Sequence, residues 1–159
     1  MSLKVGDQAP EFEVIAREAG RDRVLSLRGI LASKDLVLYF YPRDFTTVCT
    51  REACGFRDAE LTDATTEVVG VSVDDAATHD RFAREHGLTF PLVPDPEREL
   101  ARRYAATSLL SDVMGVSGRI TYVIDRSARV VAVFDSALRS SQHIDGARAA
   151  LQKLRASAR

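Results

Sequence analysis

Two apolar runs of strand length frame the sequence. Val37–Tyr41 (VLYFY) is a short β-favouring run that ends at Pro42, and Glu67–Asp74 (EVVGVSVD) reads as a buried strand. Between them, Arg51–Leu61 places Ala53, Phe56, Ala59 and Leu61 near helical spacing. After them, Ala76–Gly87 reads as a helix with Phe82 and Ala83 inward and Gly87 as its stop. A proline-broken strand (FPLVPDP) and a short helix over Glu97–Ala105 follow. Arg119–Asp125 and Arg129–Asp135 form a hairpin. In the tail His143–Ser157, residues Ile144, Ala147, Leu151 and Leu154 make one helical face. At the other end, Ala9–Val14 and Arg23–Leu27 look like a small accessory hairpin.

This order predicts an α/β fold: a mixed central β-sheet flanked by helices, in thioredoxin-like sequence, with an N-terminal β-hairpin extension. The length of 159 residues suits a single domain over residues 1–159. A net charge of −1 gives no broad electrostatic footprint, so neither nucleic acid nor a membrane surface is expected as a partner. No apolar run reaches membrane-spanning length, and the N-terminus lacks the apolar region of a signal peptide. The expected compartment is cytoplasmic, where the two cysteines would be reduced and reactive.

Those cysteines lie together in YPRDFTTVCTREACGFRD, Tyr41–Asp58, as Cys49 and Cys54. Ligand chemistry in sheets of this type gathers at the carboxyl ends of strands, where Cys49 falls. A cysteine reacts as its thiolate. Free N–H groups at a helix entrance favour an anion there, and a neighbouring arginine would do more. The candidates are Arg43, Arg51 and, from another strand, Arg119; sequence distance does not choose among them. Thr46 can serve as an N-cap or can hold a thiolate and an incoming oxygen. Glu52 can orient an arginine, although favouring the helix N-terminus is the commoner role. The three histidines, His79, His86 and His143, are scattered and no C-x-x-C occurs, so no metal and no cofactor is expected.

The spacing of the cysteines carries its own constraint. On a continuous helix, residues five apart have Cα atoms roughly 8–9 Å apart, and a disulfide tolerates at most about 7 Å. The two are therefore independent thiols, one of them a small core residue, or a redox couple that requires the helix to unwind.

These residues resemble the peroxiredoxins, and within them the bacterioferritin-comigratory or Q-type branch. The signature P-x-x-x-T-x-x-C is met by Pro42, Thr46 and Cys49. The branch's YFYPKDxTPGCTxEAxxFRD is similar to YFYPRDFTTVCTREACGFRD, and the arginine preceding xTFxID is matched by Arg119 in RITYVID. The resemblance implies a thiol peroxidase acting on hydrogen peroxide and organic hydroperoxides. Cys49 would be peroxidatic and Cys54 resolving. Thr46 and Arg119 would hold the peroxide, and Pro42 would shield the thiolate. The Cys49 sulfenic acid would close to an intramolecular Cys49–Cys54 disulfide, to be reset by a thioredoxin-like dithiol reductant. A monomer or weak homodimer is expected.

Two segments depart from the branch. Thr47 and Val48 stand where Pro-Gly is usual; threonine restores an N–H, and valine disfavours positive φ. Ser108–Gly118 matches poorly. Rival readings are a disulfide oxidoreductase of the same fold, a non-catalytic binding module, and a peroxidase in which Cys54 is only a core residue.

Overall fold

The computed structural model describes residues 2–157. The chain opens with an antiparallel hairpin, β1 (Glu13–Glu18) and β2 (Arg21–Ser26). Ser26 then caps the short helix α1 (Leu27–Leu31) by accepting from the Gly29 N–H. Next come β3 (Asp35–Phe40), α2 (Thr47–Asp58), β4 (Thr66–Ser72), α3 (Ala76–His86) and β5 (Leu92–Pro94). The remainder is α4 (Glu99–Arg103), α5 (Leu109–Met114), the hairpin β6 (Ile120–Ile124) and β7 (Val130–Asp135), and α6 (Ser140–Ser157).

The strands form one mixed sheet in the order β2-β1-β5-β4-β3-β6-β7. β3, β4 and β5 run parallel, and β6 joins β3 antiparallel. This is the thioredoxin-like arrangement expected from the element order, with β1 and β2 as the N-terminal extension.

β3 is buried on both faces, and its side chains alternate between two cores, as the pleat requires. Leu36, Leu38 and Phe40 join Phe12, Val69, Tyr104 and Tyr122 beneath α1 and α4. Val37, Tyr39 and Tyr41 join Cys49, Phe56, Phe82 and Leu151 beneath α2, α3 and α6. Gly70 makes room for the Tyr39 ring: a Cβ there would stand 2.9 Å from the ring and 2.8 Å from Leu92.

Two helices escape the sequence reading. α1 begins at Leu27, which the sequence pattern assigns to a strand end, and at five residues it is too short to show a period. α5 has no buried stripe to betray it, because Leu109, Leu110, Val113 and Met114 all face outward. Its ends are chemical instead. Ser108 and Ser111 form a reciprocal capping box, and Gly115 closes the helix in the left-handed region.

The sheet register positions the site. Phe40, the last residue of β3, pairs with Ile120, the first of β6. The loop leading to α2 and the residue preceding β6, Arg119, therefore leave the sheet at the same end of adjacent strands.

Candidate active site

The loop from β3 to α2 is fastened at Asp44. Its buried carboxylate accepts from the Tyr41 hydroxyl at 2.5 Å and lies 2.6 Å from His79 Nδ1, while its N–H donates to Asp74 Oδ2 at 2.6 Å. The other His79 nitrogen faces the Val93 carbonyl at 3.2 Å. Phe45 follows at φ +63°, its ring packed against Phe82 with the Arg81 guanidinium 4.9 Å from its centre. The turn into α2 thus takes its positive φ at Phe45. Thr47 and Val48 are already helical, so a threonine in the first helical position and a valine in the second are accommodated.

Cys49 is the third residue of α2 and 1% exposed. The N-cap side chain makes no capping hydrogen bond, so it satisfies none of the first-turn N–H groups of the helix that carries Cys49. Of the three arginines the sequence offers, Arg43 and Arg51 are exposed, and Arg119 reaches the thiol. Its Nη2 donates to Cys49 Sγ at 3.0 Å, Nη1 to Glu52 Oε1 at 2.9 Å, and Nε to the Ala137 carbonyl at 2.9 Å. A permanent cation is thereby fixed against the sulfur on three sides.

Glu52 does not play the helix-terminus role favoured on sequence grounds. It is fully buried and orients Arg119. Burial pushes its carboxyl up to about 7, with Arg119 pulling the other way. Its second oxygen has no hydrogen-bond partner among the described residues and lies 3.5 Å from His143 Nδ1. His143, one of the three scattered histidines, is buried beside this pair. Its Nε2–H donates to the Ser136 carbonyl at 2.9 Å and its Nδ1 accepts from the Thr121 hydroxyl at 2.7 Å, while burial pushes its pKa down. The arginine-orienting role is the less common of the two readings open for Glu52, because Arg119 lies 67 residues away; no local signal places His143 beside Thr121 and Glu52.

The buried carboxyl predicts a pH dependence of stability. Folded Glu52 keeps its proton to about pH 7, whereas the unfolded chain ionises it near its ordinary 4.5. Between those values the folded state binds more protons, so stability falls as pH rises through this window and is flat above it. The full change is worth about 3 kcal/mol. Urea denaturation of wild type and Glu52→Gln at pH 5 and pH 8 measures it. Between these pH values the wild type is expected to lose about 2.5 kcal/mol relative to the variant, and parallel behaviour would refute the assignment.

Thr46 is the N-cap residue, but its hydroxyl turns back to donate to the Arg43 carbonyl at 3.0 Å and caps nothing. Its lone pairs remain available three residues before Cys49. Pro42 and Arg119 line one pocket of about 290 Å³, walled by Leu110, Met114 and Val116 from the Ser108–Gly118 segment that departs from the branch. Ser117, also in its wall, has a buried hydroxyl with no partner among the described residues.

Cys54 lies on the same intact helix, partly exposed, with Sγ 3.9 Å from His86 Nδ1 on α3. Both cysteines are free thiols. Asp44, Asp74 and His79 bring possible metal ligands within 4.8 Å of one another, but these groups are engaged in the hydrogen bonds that fasten the loop.

Residues 5–133 match the AhpC/TSA family. The chain belongs to that family, the peroxiredoxins. Relatives of this peroxiredoxin include Bcp from Bacillus subtilis, 34% identical over 82% of this chain and 84% of the relative. The chloroplastic peroxiredoxin Q of Populus jackii is 34% identical over 92% of this chain and 68% of its own length. Among solved structures, Mycobacterium tuberculosis peroxidoxin BcpB superposes with a TM-score of 0.79 at 32% identity, covering 95% of this chain and 97% of that one. This peroxiredoxin therefore stands in the Q/Bcp branch and is a thiol-dependent peroxidase that works with hydroperoxides and thioredoxin-type reductants.

Proposed function

We propose that Cys49 is the peroxidatic cysteine, Cys54 the resolving cysteine, and Arg119, Thr46 and Pro42 the groups that receive the hydroperoxide. The observation that carries this reading is the 3.0 Å contact between Arg119 Nη2 and Cys49 Sγ at a helix entrance. The Cys49 thiolate attacks the terminal oxygen of the peroxide in line. The O–O bond breaks, the sulfur becomes a sulfenic acid, and the leaving oxygen departs as an alcohol or water. Arg119 and the N–H groups of the first turn of α2 supply donors where charge develops, while the Thr46 hydroxyl, its proton given to the Arg43 carbonyl, accepts from the incoming hydroperoxide. The apolar wall beside Pro42 suits an organic hydroperoxide as well as hydrogen peroxide. The Xanthomonas campestris bacterioferritin comigratory protein, whose structures concern alkyl peroxide reduction, is 29% identical with a TM-score of 0.76 over 88% of this chain and 90% of that one.

The two cysteines then join within one chain. On an intact α2 they are too far apart, so the helix must open, and its two halves are not equally held. The second half is locked: Gly55 lies so close to Ile144 of α6 that a Cβ would stand 2.8 Å from it, and the Phe56 ring is 4.6 Å from that of Tyr39. The first turn has no side-chain cap, and Thr46 and Thr47 are exposed. Cys49 therefore moves and Cys54 waits. A thioredoxin-like dithiol resets the disulfide by exchange. Residues 1–159 act as one domain, in the cytoplasm, as a monomer or weak homodimer with neither nucleic acid nor membrane as partner. Among the described residues no helix is long and apolar enough to cross a membrane.

Cys54→Ser separates these steps. The variant is expected to consume about one equivalent of peroxide in a burst and then to stall in a thioredoxin-coupled assay. Non-reducing mass spectrometry should show a Cys49–Cys54 disulfide in the wild type only. Full turnover by Cys54→Ser would reduce Cys54 to a packing residue.

A further inference from the structure

We propose that His86 is a catalytic base for the resolving step, taking the proton of Cys54 as Cys54 attacks the oxidised Cys49. The inference rests on Cys54 being the resolving cysteine. No guanidinium donates to the Cys54 sulfur as Arg119 does to Cys49, although Arg57 one turn along α2 exerts an electrostatic pull on it; the thiol must still lose its proton to react, and an ordinary cysteine is only a few per cent ionised at neutral pH. The group within reach is His86, whose Nδ1 is 3.9 Å from Cys54 Sγ across the α2–α3 contact. That contact is built on both sides. The Phe82 ring packs edge-on against the imidazole at 5.0 Å, and Arg57, one turn beyond Cys54, donates to the His86 carbonyl. With its proton on Nε2, the ring presents a lone pair on Nδ1 toward the sulfur.

The geometry also brings the partner to this place. Phe45, at the end of the fastened loop and just before the turn that opens, lies 6.3 Å ring to ring from His86. When the first turn of α2 unwinds, Cys49 is tethered four residues from Phe45 and can swing toward the face where Cys54 and His86 meet.

The step balances as follows. His86 Nδ1 removes the Cys54 proton, and the thiolate attacks the sulfenic sulfur of Cys49. The S–S bond forms as the S–O bond breaks, and the hydroxide takes the proton back from the imidazolium to leave as water. Cys54 sulfur is oxidised from thiol to disulfide, and Cys49 sulfur is reduced from sulfenic acid to disulfide.

The test follows one turnover. Wild type, His86→Ala and His86→Phe are mixed with one equivalent of hydrogen peroxide. Sulfenic acid formation is followed by stopped-flow, and the Cys49–Cys54 disulfide by acid quench and mass spectrometry. His86→Phe keeps an aromatic ring against Phe82 and Phe45 but has no base. Both variants are expected to form the sulfenic acid at the wild-type rate and the disulfide about tenfold or more slowly. Added imidazole should restore the rate in His86→Ala, which a packing role for the ring would not allow. Disulfide formation at the wild-type rate in both variants, or slowing that imidazole does not relieve, would overturn the proposal while leaving the roles of the cysteines intact. Absence of the disulfide in the wild type would overturn both readings together.

Discussion

Serine at position 49 is expected to end peroxide consumption. In the proposed mechanism the Cys49 thiolate is both the nucleophile and the atom that accepts the peroxide oxygen. A serine hydroxyl in the same cavity offers neither the ionisation nor the soft sulfur that the O–O bond requires. Arg119 would still donate to the smaller oxygen, so substrate can enter the pocket, but nothing there can be oxidised reversibly. The loss should be at least about a thousandfold in the first step, the scale reached when a reacting nucleophile is deleted. Competition with a haem peroxidase for hydrogen peroxide, alongside circular dichroism to establish an intact fold, measures it. Retention of more than a few per cent of the wild-type rate by Cys49→Ser would overturn the assignment of Cys49.

Arg119→Ala is the second large effect. The guanidinium joins Cys49, Glu52 and the Ala137 carbonyl through separate nitrogens. Its removal deprives the sulfur of its cation, leaves the Glu52 carboxyl buried without a partner, and withdraws a donor from the leaving oxygen. Losing a comparable transition-state donor costs about 10²–10³ in rate, and the first oxidation step should slow by that factor or more. Arg119→Lys tests geometry apart from charge. An ammonium can approach the sulfur or Glu52 but cannot bridge both while holding the carbonyl, so the lysine variant should recover only part of the loss. Equal rates for Arg119→Lys and wild type would mean that charge alone matters, and a near-normal rate for Arg119→Ala would remove Arg119 from the mechanism.

The sequence made the sheet legible because its central strands are unambiguous. β3 and β4 are apolar runs of strand length, and β6 and β7 flank a short polar turn. The helices packed on one face were equally readable where the apolar stripe was long, as in α6 with Ile144, Ala147 and Leu151 buried. α1 and α5 were hidden because one is too short for periodicity and the other buries no apolar stripe. The site divided in the same way. Cys49, Thr46 and Pro42 are neighbours along the chain, so a spacing rule captures them. Arg119 needed the family resemblance to stand out from Arg43 and Arg51, which lie closer in sequence but point to solvent. Glu52 was read as serving its own helix because its partner lies 67 residues away. His86, whose sulfur contact spans 32 residues, was invisible for the same reason.

The register of β6 against β3 has a consequence for the oxidised protein. Arg119 is held by the start of β6 and by the Ala137 carbonyl, neither of which depends on Cys49 staying in place. In the proposed cycle the sulfur leaves to form its disulfide, and the guanidinium keeps Glu52 and the Ala137 carbonyl but loses one partner in a buried site. A buried charge with a lost partner is costly, so the oxidised chain would carry a strain that reduction relieves. The returning thiolate would find its counter-ion already placed at the start of β6, and the first turn of α2 would rewind toward it. The arginine proposed to prepare the sulfur would also guide it back.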